Sequence, residues 1–126
     1  MEFTTTVPEN QQVIESYGAG RFRVSGMDYA GSVLVFPNNT VPWAVERMDG
    51  LSADSFAPII AAEPPVEILL LGCGASLQFL TPDLRSALRD HKVGCDVMDT
   101  GAACRTYNVL IAESRRVAAA LIALPA

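Results

Sequence analysis

The clearest pattern of apolar and polar positions lies in the last quarter of the chain, after the polar turn that ends at Gly101. From Ala102 to Leu124, apolar or small residues recur every three or four positions, which is the spacing of one face of an α-helix. Thr100 is expected to cap this helix, because its hydroxyl can accept hydrogen bonds from the free N–H groups of the first turn. The pattern therefore predicts a long C-terminal helix packed across a β-sheet.

Two segments in the first third of the chain predict strands. Residues 21–25 alternate between apolar and polar side chains, which is typical of a strand with one exposed face, whereas residues 32–36 are largely apolar on both faces. The glycine-bounded segment 26–31 between them is expected to be a turn, so that the two strands form a hairpin. Residues 1–11 are expected to form a loose leader, followed by a single domain over residues 12–126.

The second half of the chain predicts alternating strands and helices. Residues 66–71 form an apolar run typical of a buried strand, and Thr81-Pro82 begins a helical pattern with a capping hydroxyl and a first-turn proline. Residues 95–98 predict a further short strand, which precedes the C-terminal helix. Such an order implies parallel strands joined by a right-handed crossover. The predicted fold class is α/β: a single domain with a mixed central β-sheet, an N-terminal antiparallel hairpin and a C-terminal βαβα unit.

This crossover brings the turns after two strands to the same carboxyl edge of the sheet, where open α/β sheets bind ligands. The N–H groups at the start of the last helix, together with Arg105, could bind a small anion or carboxylate there. Alternatively, Thr100 only caps the helix and Arg105 pairs with Asp99 or with solvent. The candidate binding patch consists of Gly72, Cys73, Gly74, Asp99, Thr100, Gly101, Cys104, Arg105 and Tyr107.

Cys104 is the candidate reactive thiol, because a helix N-terminus and the adjacent Arg105 both favour the thiolate. No histidine is placed beside it by the sequence, and cysteine is often a small buried residue, so no catalytic residue is assigned. A redox pair of Cys73 with Cys104 is a geometric alternative. The loop Gly72-Cys73-Gly74 lacks the third glycine of a dinucleotide loop, and we expect no such cofactor.

Composition narrows the classes of function. The chain has 126 residues and a formal net charge of −5, which argues against nucleic acid and anionic lipid as partners. Its three cysteines form no CxxC pair and there is one histidine, so no metal site is expected. We expect no transmembrane segment or signal peptide, and an odd number of thiols favours a cytoplasmic location.

Four segments together resemble a known family: residues 18–24, 31–35 and 70–74, and above all Met98-Asp99-Thr100-Gly101-Ala102-Ala103-Cys104-Arg105-Thr106-Tyr107-Asn108. They resemble the family of mitochondrial complex I assembly factor 3, across essentially the whole chain after the leader. The resemblance implies a small α/β domain with a mixed sheet. It also implies an assembly chaperone for the NADH:ubiquinone oxidoreductase that acts beside another assembly factor, without established catalytic activity. With no transit peptide visible, the chain resembles a bacterial member.

The leading hypothesis is therefore a non-enzymatic interaction or assembly factor related to respiratory complex I. Its partners would be respiratory complex subunits or another assembly factor, and the carboxyl-edge patch would be part of its recognition surface. The alternative is a small-molecule or anion-binding protein, or a thiol enzyme, with its site at the same edge. Homodimerisation through an edge strand is compatible with both hypotheses, and neither requires a cofactor.

Overall fold

The computed structural model describes residues 11–125, within which eight strands form two sheets. The strands are β1 (Ile14–Gly18), β2 (Arg21–Val24), β3 (Met27–Ala30), β4 (Val33–Val35), β5 (Thr40–Pro42), β6 (Ile68–Gly72), β7 (Gly94–Met98) and β8 (Val117–Leu121). The helices are α1 (Ala57–Ile60), α2 (Pro82–Asp90) and α3 (Thr100–Ala112), with single 3₁₀ turns at Met48–Gly50 and Ala53–Phe56.

The larger sheet has five strands in the order β5-β4-β8-β6-β7. β6 pairs in parallel with β7 and with β8, whereas β4 is antiparallel to both β8 and β5. Alternate residues of β6 enter separate apolar clusters: Leu69 and Leu71 lie with Leu88 of α2, and Leu70 lies with Ile111 of α3. The sheet is therefore covered by α2 on one face and by α3 on the other. The predicted fold class, a mixed α/β domain, is confirmed.

The smaller sheet is an antiparallel meander of β1, β2 and β3. The predicted pairing of residues 21–25 with residues 32–36 is wrong, because β2 pairs with β3 while β4 belongs to the larger sheet. Ser25 and Gly26 both have positive φ, at 44° and 85°, and form the two-residue turn between β2 and β3. Two central residues with φ > 0 match the twist of a hairpin, so the chain reverses immediately after Val24.

The prediction that the last helix continues to Leu124 is also wrong. α3 ends at Ala112, Ser114 takes a left-handed conformation with φ of 60°, and β8 follows as a central strand between β4 and β6. Every residue of β8 is buried, with Ala118 and Ala120 facing the α2 side and Ala119 facing the α3 side. A strand buried on both faces needs no alternation of polar and apolar residues, so the sequence of β8 can be mistaken for that of a buried helix.

Two smaller points concern the ends of elements. Pro58 lies in the first turn of α1, where its missing N–H leaves no hydrogen bond unmade. Residues 1–10, most of the predicted leader, lie outside the described residues. Between residues 11 and 125, no helix has the length and hydropathy needed to cross a bilayer.

Candidate functional site

The turns that follow β6 and β7 meet at the first residues of α3. The N–H of Cys73 donates to the carbonyl of Met98 at 2.9 Å, and the N–H of Thr100 donates to the carbonyl of Gly74 at 2.9 Å. The prediction that the turns after these two strands meet at one carboxyl edge of the sheet is therefore confirmed. Their use as a binding patch remains a prediction, and the side chains at this edge decide what could bind there.

The hydroxyl of Thr100 occupies the crevice between the ends of β6 and β8. Its Oγ1 accepts from the N–H of Gly74 at 2.9 Å and donates to the carbonyl of Ile122 at 2.7 Å, and the residue is fully buried. The connections from β6 and β7 leave toward opposite faces of the sheet, so the crevice in which open α/β sheets bind ligands lies between the ends of these two strands. In this chain the hydrogen bond from Cys73 to Met98 crosses that crevice, and the side chain of Thr100 fills the space beside it, between β6 and β8.

Thr100 is consequently not the cap of α3, as the sequence suggested. Asp99 is the capping residue, and its Oδ1 accepts from the N–H of Ala102 at 2.9 Å. This bond uses one of the N–H groups that were expected to bind an anion. A carboxylate at the positive end of the helix dipole also disfavours a second negative charge in the same place.

The glycines at this edge allow backbone segments to approach closely. A Cβ atom on Gly72 would lie 3.0 Å from the Cα of Thr100, in the turn that starts α3. A Cβ atom on Gly101 would lie 2.9 Å from the ring carbon of Tyr17 that carries the hydroxyl. Both distances are too short for a side chain without movement of the neighbour. These two glycines therefore allow the two sheets to pack closely against α3, and they do not open a space for a ligand.

The environment of Cys104 contradicts the expectation of a reactive thiolate. The residue has no exposed surface, and burial raises the pKa of its thiol to about 12, an effect that outweighs the lowering by the nearby charge of Arg105. Cys73 is also buried, with its Sγ donating to the carbonyl of Ser76 at 3.3 Å. Both cysteines are free, so no disulfide joins Cys73 to Cys104.

Tyr107 was expected on the recognition surface, but it lies in the core. Its hydroxyl donates to the carbonyls of Gln12 at 3.2 Å and Phe36 at 3.3 Å, and burial raises the pKa of the phenol. Among the residues of the candidate patch, Arg105 is exposed and Asp99 is partly exposed, whereas the others are buried. Sequence reasoning missed the loop 75–79 that follows β6, whose apolar side chains are the most exposed of this edge.

In that loop, Phe79 is 87% exposed and Leu77 is 57% exposed. Two large apolar residues between a strand and a capping threonine were a signal for this in the sequence, because loop residues usually lie on the surface. An open cleft of about 400 Å³ adjoins the loop, and Arg47 on its rim is paired with Asp49 at 2.7 Å. In the described part of the chain, no three His, Cys, Asp or Glu side chains are grouped to hold a metal ion.

These features define a class of protein: a mixed α/β domain in which the start of a helix packs against the carboxyl ends of the parallel strands. The chain belongs to the family described as "Protein of unknown function (DUF498/DUF598)", whose model matches residues 14–122. Two relatives and one solved structure show what this chain is similar to in sequence and in fold.

The zebrafish (Danio rerio) protein named NADH dehydrogenase (ubiquinone) 1 alpha subcomplex assembly factor 3 is 35% identical over 114 residues, which are 90% of this chain. The chain spans 66% of that relative, just under two thirds of its length. An uncharacterized protein of Rhodobacter capsulatus is 36% identical over 89% of this chain and 85% of its own. The predicted resemblance to the assembly factor 3 family is thus confirmed.

The fold is shared with a crystal structure of a Bartonella henselae protein described as an outer membrane protein. The two superpose with a TM-score of 0.84 at 34% identity, over 92% of this chain and 98% of the other. Similarity of this extent covers nearly the whole of this chain. The arrangement described above is therefore that of the whole domain and not of one motif.

Proposed function

We propose that this chain is a non-enzymatic interaction factor that assists the assembly of respiratory complex I, the NADH:ubiquinone oxidoreductase. The observation that carries the proposal is the 35% identity with the zebrafish assembly factor over 90% of this chain. The partners would be subunits of the complex or another assembly factor. The three free cysteines of the described part of the chain fit a reducing compartment, and we propose the cytoplasm.

The chemistry of the carboxyl edge supports a binding role without catalysis. A nucleophilic thiol must be deprotonated, and the buried Cys104, with a pKa of about 12, keeps its proton at neutral pH. The space between the carboxyl ends of β6 and β8 is occupied by the hydroxyl of Thr100. No observation favours the alternative of an anion-binding protein or thiol enzyme, and we do not propose it.

We further propose that the exposed part of the carboxyl edge contributes to recognition. Arg105 and Asp99 supply charge there, and Leu77 and Phe79, in the loop that follows β6 at the same edge, supply exposed apolar surface. Interfaces between proteins commonly combine an apolar, aromatic centre with a polar rim. This edge has both components within one loop and one helix start.

Deletion of the gene in its host tests the proposal. Assembled complex I, resolved on native gels and stained for NADH oxidation, should fall in the deletion strain and return with the wild-type gene on a plasmid. A Cys104→Ala variant, with its level checked by immunoblot, should restore the complex equally well because no thiol chemistry is involved. Normal amounts of active complex in the deletion strain would refute the proposal, and failure of a well-expressed Cys104→Ala variant would refute its non-enzymatic part.

A further inference from the structure

We propose that the outer edge of β7 is the docking site for an extended, acidic segment of a protein partner, which adds to the five-stranded sheet as a sixth strand. β7 is one of the two edges of that sheet. The inference rests on the proposed function in one respect, namely that the chain works by binding another protein. It concerns a surface separate from the carboxyl edge.

The hydrogen bonds between β6 and β7 determine which backbone groups of β7 point outward. The N–H of Gly94 donates to the carbonyl of Glu67 at 2.9 Å, and the carbonyl of Met98 accepts from Cys73 at 2.9 Å. Because successive residues of a strand point their backbone groups to opposite sides, Gly94, Asp96 and Met98 pair with β6. The N–H and C=O groups of Cys95 and Val97 therefore face outward, where an added strand would bind.

The other edge of the same sheet is closed to such an addition. At β5, the N–H of Phe36 donates to the carbonyl of Asn39, and the N–H of Trp43 donates to the carbonyl of Ser32. Residues 40 and 42 alternate with these bonded positions, so their backbone groups point outward, and residue 42 is a proline. Proline has no N–H and its ring obstructs a neighbouring strand, which is a common protection of sheet edges. β7 contains no proline.

A groove runs along β7 between α2 and α3, with a volume of about 550 Å³. Apolar side chains line it, among them Leu70 of β6 and Leu110 of α3. Arg85 and Arg89, one turn apart on α2, also line the groove, against the single carboxylate of Asp96. Two guanidinium groups beside an open strand edge favour an extended segment that carries acidic side chains as well as apolar ones.

Arg85 already contacts the strand edge. Its Nη1 donates to the outward carbonyl of Cys95 at 2.9 Å, so in the free protein the guanidinium occupies one of the positions that an added strand would use. An acidic partner can exchange this contact without loss. Its carboxylate takes the guanidinium of Arg85, and its backbone N–H donates to the carbonyl of Cys95 instead.

A second copy of this chain fits the edge less well than an acidic partner. A two-fold contact presents the same patch from both sides, which would bring Arg85 and Arg89 of one copy toward the same arginines of the other. Like charges across an interface disfavour association. Arg85 and Arg89 thus select a partner of opposite charge.

Two synthetic peptides test the proposal in solution: a ten-residue chain alternating valine with glutamate, and a matched chain alternating valine with lysine. Titration into ¹⁵N-labelled protein should shift the amide signals of Cys95 and Val97 most strongly. The glutamate peptide should bind at least about tenfold more tightly than the lysine peptide. Shifts centred elsewhere, or equal affinity for the two peptides, would overturn the proposal.

Val97→Pro is the matching variant, because it removes an outward N–H and leaves the N–H groups of Asp96 and Met98, which bond to β6, in place. It also changes a side chain that packs against the core, so its fold must be checked. It should weaken binding of the glutamate peptide at least about tenfold. Thr40→Pro likewise removes an outward N–H, here from β5 and together with the hydrogen bond from the Thr40 hydroxyl to Gln12, and should leave binding unchanged. Circular dichroism verifies that both variants fold.

If Val97→Pro fails to fold, Arg85→Gln combined with Arg89→Ser gives the second measurement. This variant keeps the backbone of β7 and should lose the preference for the glutamate peptide. Retained preference would contradict the proposal. A doubled mass by light scattering that Val97→Pro returns to the monomer value would assign the edge to a second copy, which also overturns it.

The host strain separates this inference from the proposed function. If gene deletion lowers complex I and the Val97→Pro protein, present at wild-type level, fails to restore it, both are supported. Full restoration by Val97→Pro would overturn the docking site alone. If deletion leaves complex I unchanged, the proposed function fails and the peptide titration still decides whether β7 binds an acidic strand.

Discussion

The side-chain amide of Asn108 pairs with both backbone groups of Ile14. Its Oδ1 accepts from the N–H of Ile14 at 2.9 Å and its Nδ2 donates to the carbonyl of Ile14 at 2.8 Å, and both residues are buried. The amide thus bonds to β1 as a neighbouring strand would. Through this pair the three-stranded sheet is fastened to α3, and through α3 to the larger sheet.

Replacement of Asn108 by alanine should lower the free energy of unfolding by about 2–4 kcal/mol, because it leaves a buried N–H and a buried C=O of Ile14 without partners. Urea unfolding followed by circular dichroism measures the change. Asn38→Ala, at an exposed position, is the control and should shift stability by less than about 0.5 kcal/mol. Equal effects of the two substitutions would contradict the role of the pair.

Thr100→Val keeps the shape of the side chain but removes both hydrogen bonds of the hydroxyl. The N–H of Gly74 and the carbonyl of Ile122 would each lose a buried partner, so we expect a loss of about 2–4 kcal/mol in the free energy of unfolding. Thr106→Val makes the same chemical change at a half-buried position of the same helix and should cost less than about 1 kcal/mol. If the two variants unfold at the same urea concentration, Thr100 does not hold the strand ends together.

Gly101→Ala should destabilise the protein although alanine is the better helix former. The added Cβ would overlap the phenol group of Tyr17, and overpacking of this kind costs about 1–3 kcal/mol. Tyr17→Phe removes the atom that is contacted most closely, and the double variant should recover part of the loss. Thermal unfolding compares these variants with Gly50→Ala, where a Cβ meets no atom within 4 Å. A neutral Gly101→Ala would show that α3 and β1 are less tightly packed than described.

Stability should fall in alkaline solution. Burial raises the pKa of Cys104 from 9.0 to about 12 and that of Cys95 from 9.0 to about 11. Between these limits the unfolded chain releases thiol protons that the folded protein retains, so rising pH favours unfolding from about pH 9 upward. The urea midpoint measured from pH 7 to 11 should decline above pH 9, and less steeply in a Cys95→Ala, Cys104→Ala variant. An identical decline in both proteins would assign it to other groups.

The elements that sequence reasoning located correctly are those with an unambiguous local signal. β2 alternates, β6 is a continuous apolar run, and α2 begins with a threonine cap followed by proline. The parallel pairing of β6 and β7 then followed from chain order, and it located the contact between Gly74 and Thr100. The two turns from which the candidate patch was predicted therefore do meet in the structure.

What the sequence could not indicate is which side chains point outward. Cys104, Tyr107 and Thr100 lie on the buried face of α3, and a helix covered by two sheets has no clearly polar side by which to recognise this. β8 was missed because Val117-Ala-Ala-Ala-Leu121 has good helix formers at positions whose burial imposes a strand. Tertiary contacts decide both cases.

The position of β8 has a consequence for how the protein is made. β4 and β6, its two neighbours in the sheet, come earlier in the chain and do not pair with each other, so they are held together only after residues 117–121 have been inserted between them. During synthesis, the emerging polypeptide therefore exposes the apolar sides of two separate half-sheets. A ribosome stalled before residue 117 would carry a chain for chaperones to hold, and folding would finish in one late step.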